Sequence, residues 1–167
     1  MNTKLFFGII GLVLILGIAG GIIANKNTSS SKPGQYDPLA MHLKNVGAKF
    51  YGAFWCTHCQ AQKKAFGSSA KLLPYVECST ADGSAQLQIC KDEKITGYPT
   101  WKFPTPIIIG EAEKKSVDPT VQLTQNQDGT YTVPAFSSIT GEIPLEMLAK
   151  WTGFEPNTQT NATSTAK

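Results

Sequence analysis

Apolar positions along the chain fall into two regimes. Leu5 to Ala24 reads LFFGIIGLVLILGIAGGIIA, 20 residues with no charge and no polar face. At about 1.5 Å per residue, a helix of that length matches a hydrocarbon core of roughly 30 Å. A signal peptide carries a shorter apolar stretch of about 7–15 residues. Gly17-Ile18-Ala19 offers a small-x-small cleavage site, but the length favours a retained signal-anchor over 5–24, with 1–4 cytoplasmic. A buried core helix would show a polar side, and this segment has none. Lys4 and Lys26 flank the span and scarcely bias its orientation. A span that leads a whole domain most simply leaves that domain outside the cytosol. Residues 25–35 are rich in Ser, Pro and Gly and read as a flexible linker; 155–167 reads as a disordered polar tail.

The second regime, over 36–154, has short apolar runs punctuated by Gly, Pro and polar turns. Asp37-Pro38 predicts a helix start, with Asp37 as N-cap and Gly47 as the stop. Lys49 to Phe54 is β-prone and mostly apolar, as a buried central strand would be. Gln60 to Phe66 predicts a helix closed by Gly67, and Leu73 to Cys78 a second strand. After a turn over Ser79 to Gly83, Ala85 to Glu93 predicts a helix with Leu87 and Cys90 on one face. Ile95 to Trp101 reads as a Gly- and Pro-marked turn entering a strand. Val121 to Leu123 and Thr130 to Val133 flank Asp128-Gly129 and predict a hairpin. Phe136 to Thr140 is a further strand candidate, and Pro144 to Trp151 a final amphipathic helix closed by Gly153. The order α, β, α, β, α, β, β, α predicts an α/β fold. A parallel strand pair arises from the strand-helix-strand unit, with the late hairpin added at one side of a mixed sheet flanked by helices. There is no internal repeat.

Composition and charge narrow the function. All 15 basic residues are Lys, so bidentate Arg recognition of phosphate or guanine is missing. Between Tyr36 and Phe154, eleven Lys are balanced by eleven Asp and Glu. A neutral domain has no electrostatic footprint for nucleic acid.

Candidate chemistry lies in Trp55-Cys56-Thr57-His58-Cys59, between a predicted strand and a predicted helix. Residues three apart share a helix face, so the two sulfurs can meet as a disulfide. Unpaired N–H groups and the helix dipole favour an anion at Cys56, the attacking thiolate. Cys59, one turn in, is the resolving thiol. His58 can add positive charge beside the thiolate, which stabilises the reduced form and makes the disulfide a stronger oxidant. The same motif forms half of a zinc site, which needs a second close pair; Cys78 and Cys90 have 11 residues between them. A c-type haem would need His directly after Cys59, where Gln60 stands. An inert structural disulfide stays open. His42, in the first helix, reads as structural or surface.

Phe54-Trp55-Cys56-Thr57-His58-Cys59 ahead of a helix, followed by Gly97-Tyr98-Pro99-Thr100, resembles the thioredoxin superfamily. More narrowly, FYGAFWCTHCQAQKKAFG, VECS, ITGYPTW and LEMLAKWTGF together resemble the thioredoxin-like domain fused to, or paired with, bacterial vitamin K epoxide reductase homologues. The likeness covers about 36–103 and 139–154. It implies a thioredoxin-like fold over 36–154, dithiol–disulfide exchange, and a cis Pro99 facing the cysteines. Trp55, Tyr98 and Pro99 would then frame a groove for extended chains. Two positions depart from thioredoxin itself. Phe50 stands where thioredoxin has a buried Asp, and Thr57-His58 where it has Gly-Pro. Both argue against a strongly reducing role. The stretch 104–133 is longer than the family leads one to expect and reads as an insertion. Cys78 and Cys90 resemble the family's extra pair, read as a structural disulfide with an electron relay as the alternative.

The expectation is a membrane-anchored, extracytoplasmic thiol–disulfide oxidoreductase. It exchanges a Cys56–Cys59 disulfide with protein dithiols as an oxidant, and a quinone-dependent membrane protein resembling vitamin K epoxide reductase reoxidises it. No organic cofactor or metal is needed, because the disulfide carries the electrons. The soluble domain would lie at a bacterial cell surface, in a periplasm or in a thylakoid lumen. A reductase or isomerase of the same fold is the first rival; an anchored chaperone or metal-binding module is the second.

Overall fold

A computed structural model describes residues 34–156. The expectations for 1–4, 5–24, most of the linker and the tail from 157 onward lie outside the described residues. Among the described residues no helix is long and apolar enough to cross a membrane.

Helix α1 (Asp37–Asn45) carries Pro38 in its first turn and buries Leu39, Ala40 and Leu43. Asp37 is not its N-cap: that position is Tyr36, and the Asp37 carboxylate accepts from the Gly34 N–H at 2.9 Å. Gly47 closes the helix, with Gly47 and Ala48 donating to the Lys44 and Leu43 carbonyls. Strand β1 (Lys49–Gly52) follows, then helix α2 (Thr57–Phe66), a 3₁₀ turn (Gly67–Leu72) and strand β2 (Tyr75–Glu77), parallel to β1 with Phe50 opposite Tyr75. The crossover through α2 lets neighbouring strands run parallel. Helix α3 (Gln88–Asp92) is shorter than the predicted 85–93, and Leu87 serves as its N-cap in extended conformation. Strand β3 (Thr100–Lys102) runs antiparallel to β1, with Trp101 opposite Phe50.

The late segment departs from expectation. Strands β4 (Ile107–Ile109), β5 (Thr124–Gln125) and β6 (Tyr131–Val133) form their own three-stranded sheet in the order β4-β6-β5. Between β4 and β5 lies a second 3₁₀ turn (Glu111–Ser116). The hairpin is present, but its first strand is Thr124–Gln125 and not Val121–Leu123. Asp128 Oδ1 accepts from the Thr130 N–H at 3.0 Å, and Gly129 adopts φ +82°. That turn pairs Gln125 with Tyr131 and fixes the register. Val121 instead closes a turn on the Asp118 carbonyl. Strand β4 alternates strictly: Ile107 and Ile109 are buried in the main core while Ile108 is exposed. Only β7 (Ile139–Thr140) joins the first sheet from this late region, giving the order β2-β1-β3-β7. Helix α4 (Leu145–Thr152) ends the domain and buries Leu148 and Trp151.

Phe50 and Tyr51 are adjacent on β1, so their side chains leave opposite faces of the sheet. Phe50 stacks on Trp101 at 4.7 Å, in the core shared by Leu43, Phe66 and Leu148. Tyr51 joins a smaller cluster with Cys78, Cys90 and Ile95. The sheet therefore has one thick and one thin core, a mixed α/β arrangement compatible with a thioredoxin-like fold. His42 bonds the Thr152 carbonyl at 2.9 Å and has a structural place between α1 and α4.

Candidate functional site

The path from β1 to α2 builds the site. Beyond Gly52 the chain turns so that the Cys56 N–H donates to the Ala53 carbonyl at 3.0 Å. Cys56 takes the N-cap position with φ −74° and ψ 117°. Its Sγ does the work that an N-cap oxygen ordinarily does, accepting from the Cys59 N–H at 3.1 Å. Cys59 Sγ also donates to Cys56 Sγ, with the sulfurs 2.6 Å apart. A disulfide needs about 2.05 Å, so the pair closes with a shift of roughly half an ångström.

The two thiols are not equivalent. Cys56 is 7% exposed and borders solvent, whereas Cys59 is 1% exposed. Burial pushes the Cys59 thiol up to about 12, helped by its hydrogen bond to Cys56. At neutral pH Cys59 keeps its proton and gives it to Cys56 as a hydrogen bond. Gly52 makes room for this arrangement. A Cβ there would lie 2.9 Å from Cys59 Sγ and 2.9 Å from Cε2 of Tyr75.

Around Cys56 the surface is aromatic. Trp55 is half exposed, donates Nε1–H to Ser79 Oγ at 2.9 Å and meets Tyr98 edge-on at 5.9 Å. Trp55, Cys56, Thr57, His58 and Tyr98 line one depression of about 360 Å³. The Tyr98–Pro99 bond is cis, and Pro99 is fully buried behind Tyr98. The structure thus brings Trp55, His58 and Tyr98 to Cys56. His58 does not turn its Nδ1 to a sulfur: that atom lies 2.7 Å from Glu142 Oε1 at the exposed rim.

Cys78 and Cys90 form a disulfide with Cα atoms 5.6 Å apart, wholly buried under Tyr51. It is tied to the Cys56 loop by a residue the sequence reasoning missed. Glu77 Oε1 accepts from three N–H groups: Phe54 at 3.2 Å, Cys78 at 3.1 Å and Ser79 at 2.9 Å. Its Oε2 accepts from the Tyr75 hydroxyl at 2.8 Å. Lys63 Nζ sits 3.2 Å from the centroid of the Tyr75 ring. The sequence held one signal for Lys63, its place four residues after Cys59 on a predicted helix. For Glu77 there was only a charge inside an apolar run. Among the described residues no three His, Cys, Asp or Glu side chains gather in a way that could hold a metal ion.

No family model matches the chain. A curated relative does: thiol-disulfide oxidoreductase LTO1 of Arabidopsis thaliana is 47% identical over 90 residues. The match covers 52% of this chain and 24% of the relative, so the chain spans about a quarter of the length of the protein it resembles.

Proposed function

We propose that this protein is a thiol–disulfide oxidoreductase of thioredoxin-like fold whose working pair is Cys56–Cys59. The observation that carries the reading is the asymmetry at the start of α2. One sulfur borders solvent inside an aromatic depression; the other is buried, protonated and 2.6 Å away. The plant relative, named a thiol-disulfide oxidoreductase, supports the same chemistry.

In the oxidising direction the pair begins as a disulfide. A substrate thiolate attacks Cys56 Sγ, the more accessible sulfur, and the Cys56–Cys59 bond breaks. Its electron pair goes to Cys59, which takes a proton. A mixed disulfide now joins substrate to Cys56. The second substrate thiolate attacks the substrate's own sulfur, which releases the substrate as a disulfide and Cys56 as a thiolate. Two electrons have moved to the pair, and no cofactor is consumed. Trp55 and Tyr98 frame the groove in which an extended segment lies; Pro99, expected to frame it too, is fully buried and does not line it. His58 stands at the rim, oriented by Glu142. Cys78–Cys90 is structural.

We assign the oxidising direction from Thr57-His58 between the cysteines and from Phe50 in the place of a buried acid. The apolar segment 5–24 would anchor the domain outside the cytosol. A quinone-dependent membrane protein resembling vitamin K epoxide reductase would restore the disulfide. The test is equilibration of the full chain against a glutathione redox buffer, with Cys56→Ser as control. A potential nearer about −120 mV than about −270 mV supports a disulfide donor. A strongly reducing value assigns the reductase role instead. An absence of exchange leaves the cysteines structural and refutes the proposal.

A further inference from the structure

Every turnover must put negative charge on Cys59 Sγ, because the bond between the two sulfurs breaks toward the buried atom. Cys59 is ill placed to carry that charge unaided. It is 1% exposed, and its thiol is pushed up to about 12. A more basic leaving sulfur leaves more slowly. Some neighbour has to offset the charge while the bond is breaking.

Few groups face Cys59. Cys56 shares the bond. His58 is held at the rim by Glu142. Tyr75 already donates to Glu77, and burial together with that bond pushes its phenol up, so it holds its proton tightly. Glu77 is negative and taken up by four donors. Lys63 remains. It follows Cys59 by four residues on α2, and so lies on the same helix face. It is half-buried, unlike its neighbour Lys64. Its Nζ is 3.2 Å from the Tyr75 ring centroid. The absent Cβ of Gly52 would touch both that ring and Cys59 Sγ at 2.9 Å. One aromatic ring therefore carries the ammonium and borders the buried sulfur.

We propose that Lys63 is a positioning residue for exchange: its ammonium, seated on Tyr75, offsets the charge that develops on Cys59 Sγ as the disulfide opens or closes. This rests on the oxidoreductase reading above. In opening, the attacking thiolate bonds to Cys56 Sγ, the electron pair of the broken bond moves to Cys59, and solvent then supplies its proton. In closing, the same steps run backwards, and Lys63 favours the thiolate form of Cys59 from which attack occurs. Lys63 acts on the transition state in both directions. Its removal slows both and moves the midpoint potential little.

The experiment uses the full chain with Lys63→Met and Lys63→Arg. Opening is timed by Trp fluorescence after adding dithiothreitol to the oxidised protein. Closure is timed from the protein carrying glutathione on Cys56. In Lys63→Met both rate constants should fall about tenfold at neutral pH while the glutathione equilibrium shifts less than twofold. Lys63→Arg, which keeps the charge, should recover most of both rates. Met rates within twofold of wild type would overturn the proposal, as would an Arg variant no faster than Met. A lost rate in one direction, matched by an equal change in potential, would also overturn it. A urea midpoint near the wild-type value excludes unfolding as the cause of slow exchange. Failure of the oxidoreductase reading looks different: the wild-type pair would not equilibrate with glutathione at all.

Discussion

Replacing both Cys78 and Cys90 with Ala should cost stability and spare exchange. The bridge closes a loop with a sequence separation of 12. In the chain-entropy treatment, a closed loop of that size restricts the unfolded chain by about 3 kcal/mol at 25 °C. Both residues are fully buried under Tyr51 and Ile95, so the two lost sulfurs also thin the smaller core. The total loss should therefore be at least the loop term. For a domain of this size each kcal/mol moves the midpoint by roughly 4 °C, so Tm should fall by about 12 °C. Exchange at Cys56 should persist below the new midpoint. The Glu77 bonds that hold Phe54 and the segment after β2 involve no sulfur of the bridge. Mutation is preferable to reduction, because a reductant would also open Cys56–Cys59. The assay is urea unfolding of the full chain, with glutathione exchange followed on the same samples. A loss below about 1 kcal/mol would refute the stability argument. A folded variant that no longer exchanges would refute the structural role and favour a relay.

Gly52→Ala would force a methyl group to within 2.9 Å of Cys59 Sγ and the Tyr75 ring. The expected cost is about 1–3 kcal/mol in urea unfolding, with slower closure of the disulfide. Gln62 is buried; it donates to the Ile143 carbonyl at 3.0 Å and accepts from the Ile143 N–H at 2.7 Å. Gln62→Leu strands both backbone groups and should cost about 2–4 kcal/mol, measured by thermal unfolding. The reduced protein should lose stability relative to the oxidised one as pH rises from about 9 toward about 12. Burial raises the Cys59 thiol in the folded state, so its contribution is complete below the unfolded value of about 9 and is lost as pH approaches about 12. Tyr51 and Tyr75 are raised in the same sense. They are present in both redox states, so the difference between oxidised and reduced unfolding curves reports chiefly on the Cys56–Cys59 pair, and the same curve for Cys56→Ser separates Cys59 from it.

What the sequence disclosed depended on whether the signal was local. Cys56 and Cys59 were legible because spacing, a β-prone run before them and a helix after them all lie within a few residues. Pro38 and Gly47 marked the ends of α1 for the same reason. Strand β4 escaped notice: it is three residues long, its neighbours Pro104 and Pro106 read as breakers, and its partner β6 begins 22 positions later. The hairpin register shifted because Asp128 and Gly129 fix the pairing from the turn outward, which left Val121 to Leu123 without partners in the sheet. The bonds of Glu77 and Gln62 leave little trace in the sequence. Gln62 makes both its bonds to backbone 81 positions away at Ile143, and the Glu77 bond that reaches the Cys56 loop spans 23 positions to the Phe54 N–H. Backbone partners leave no residue-type signature to read. His58 was found, but its partner Glu142 lies 84 positions away, which kept the orientation of the ring out of reach.

The carboxylate of Glu77 separates what holds the site's entrance from what reacts in it. It pins the stretch before Cys56 to the stretch after β2 through N–H groups, and the sulfurs of Cys56 and Cys59 take no part in those bonds. The entrance to the site is therefore braced by a carboxylate rather than by its own sulfurs. On the proposed exchange chemistry, the contour met by an incoming thiol is set by bonds that the opening or closing of the Cys56–Cys59 bridge does not itself make or break.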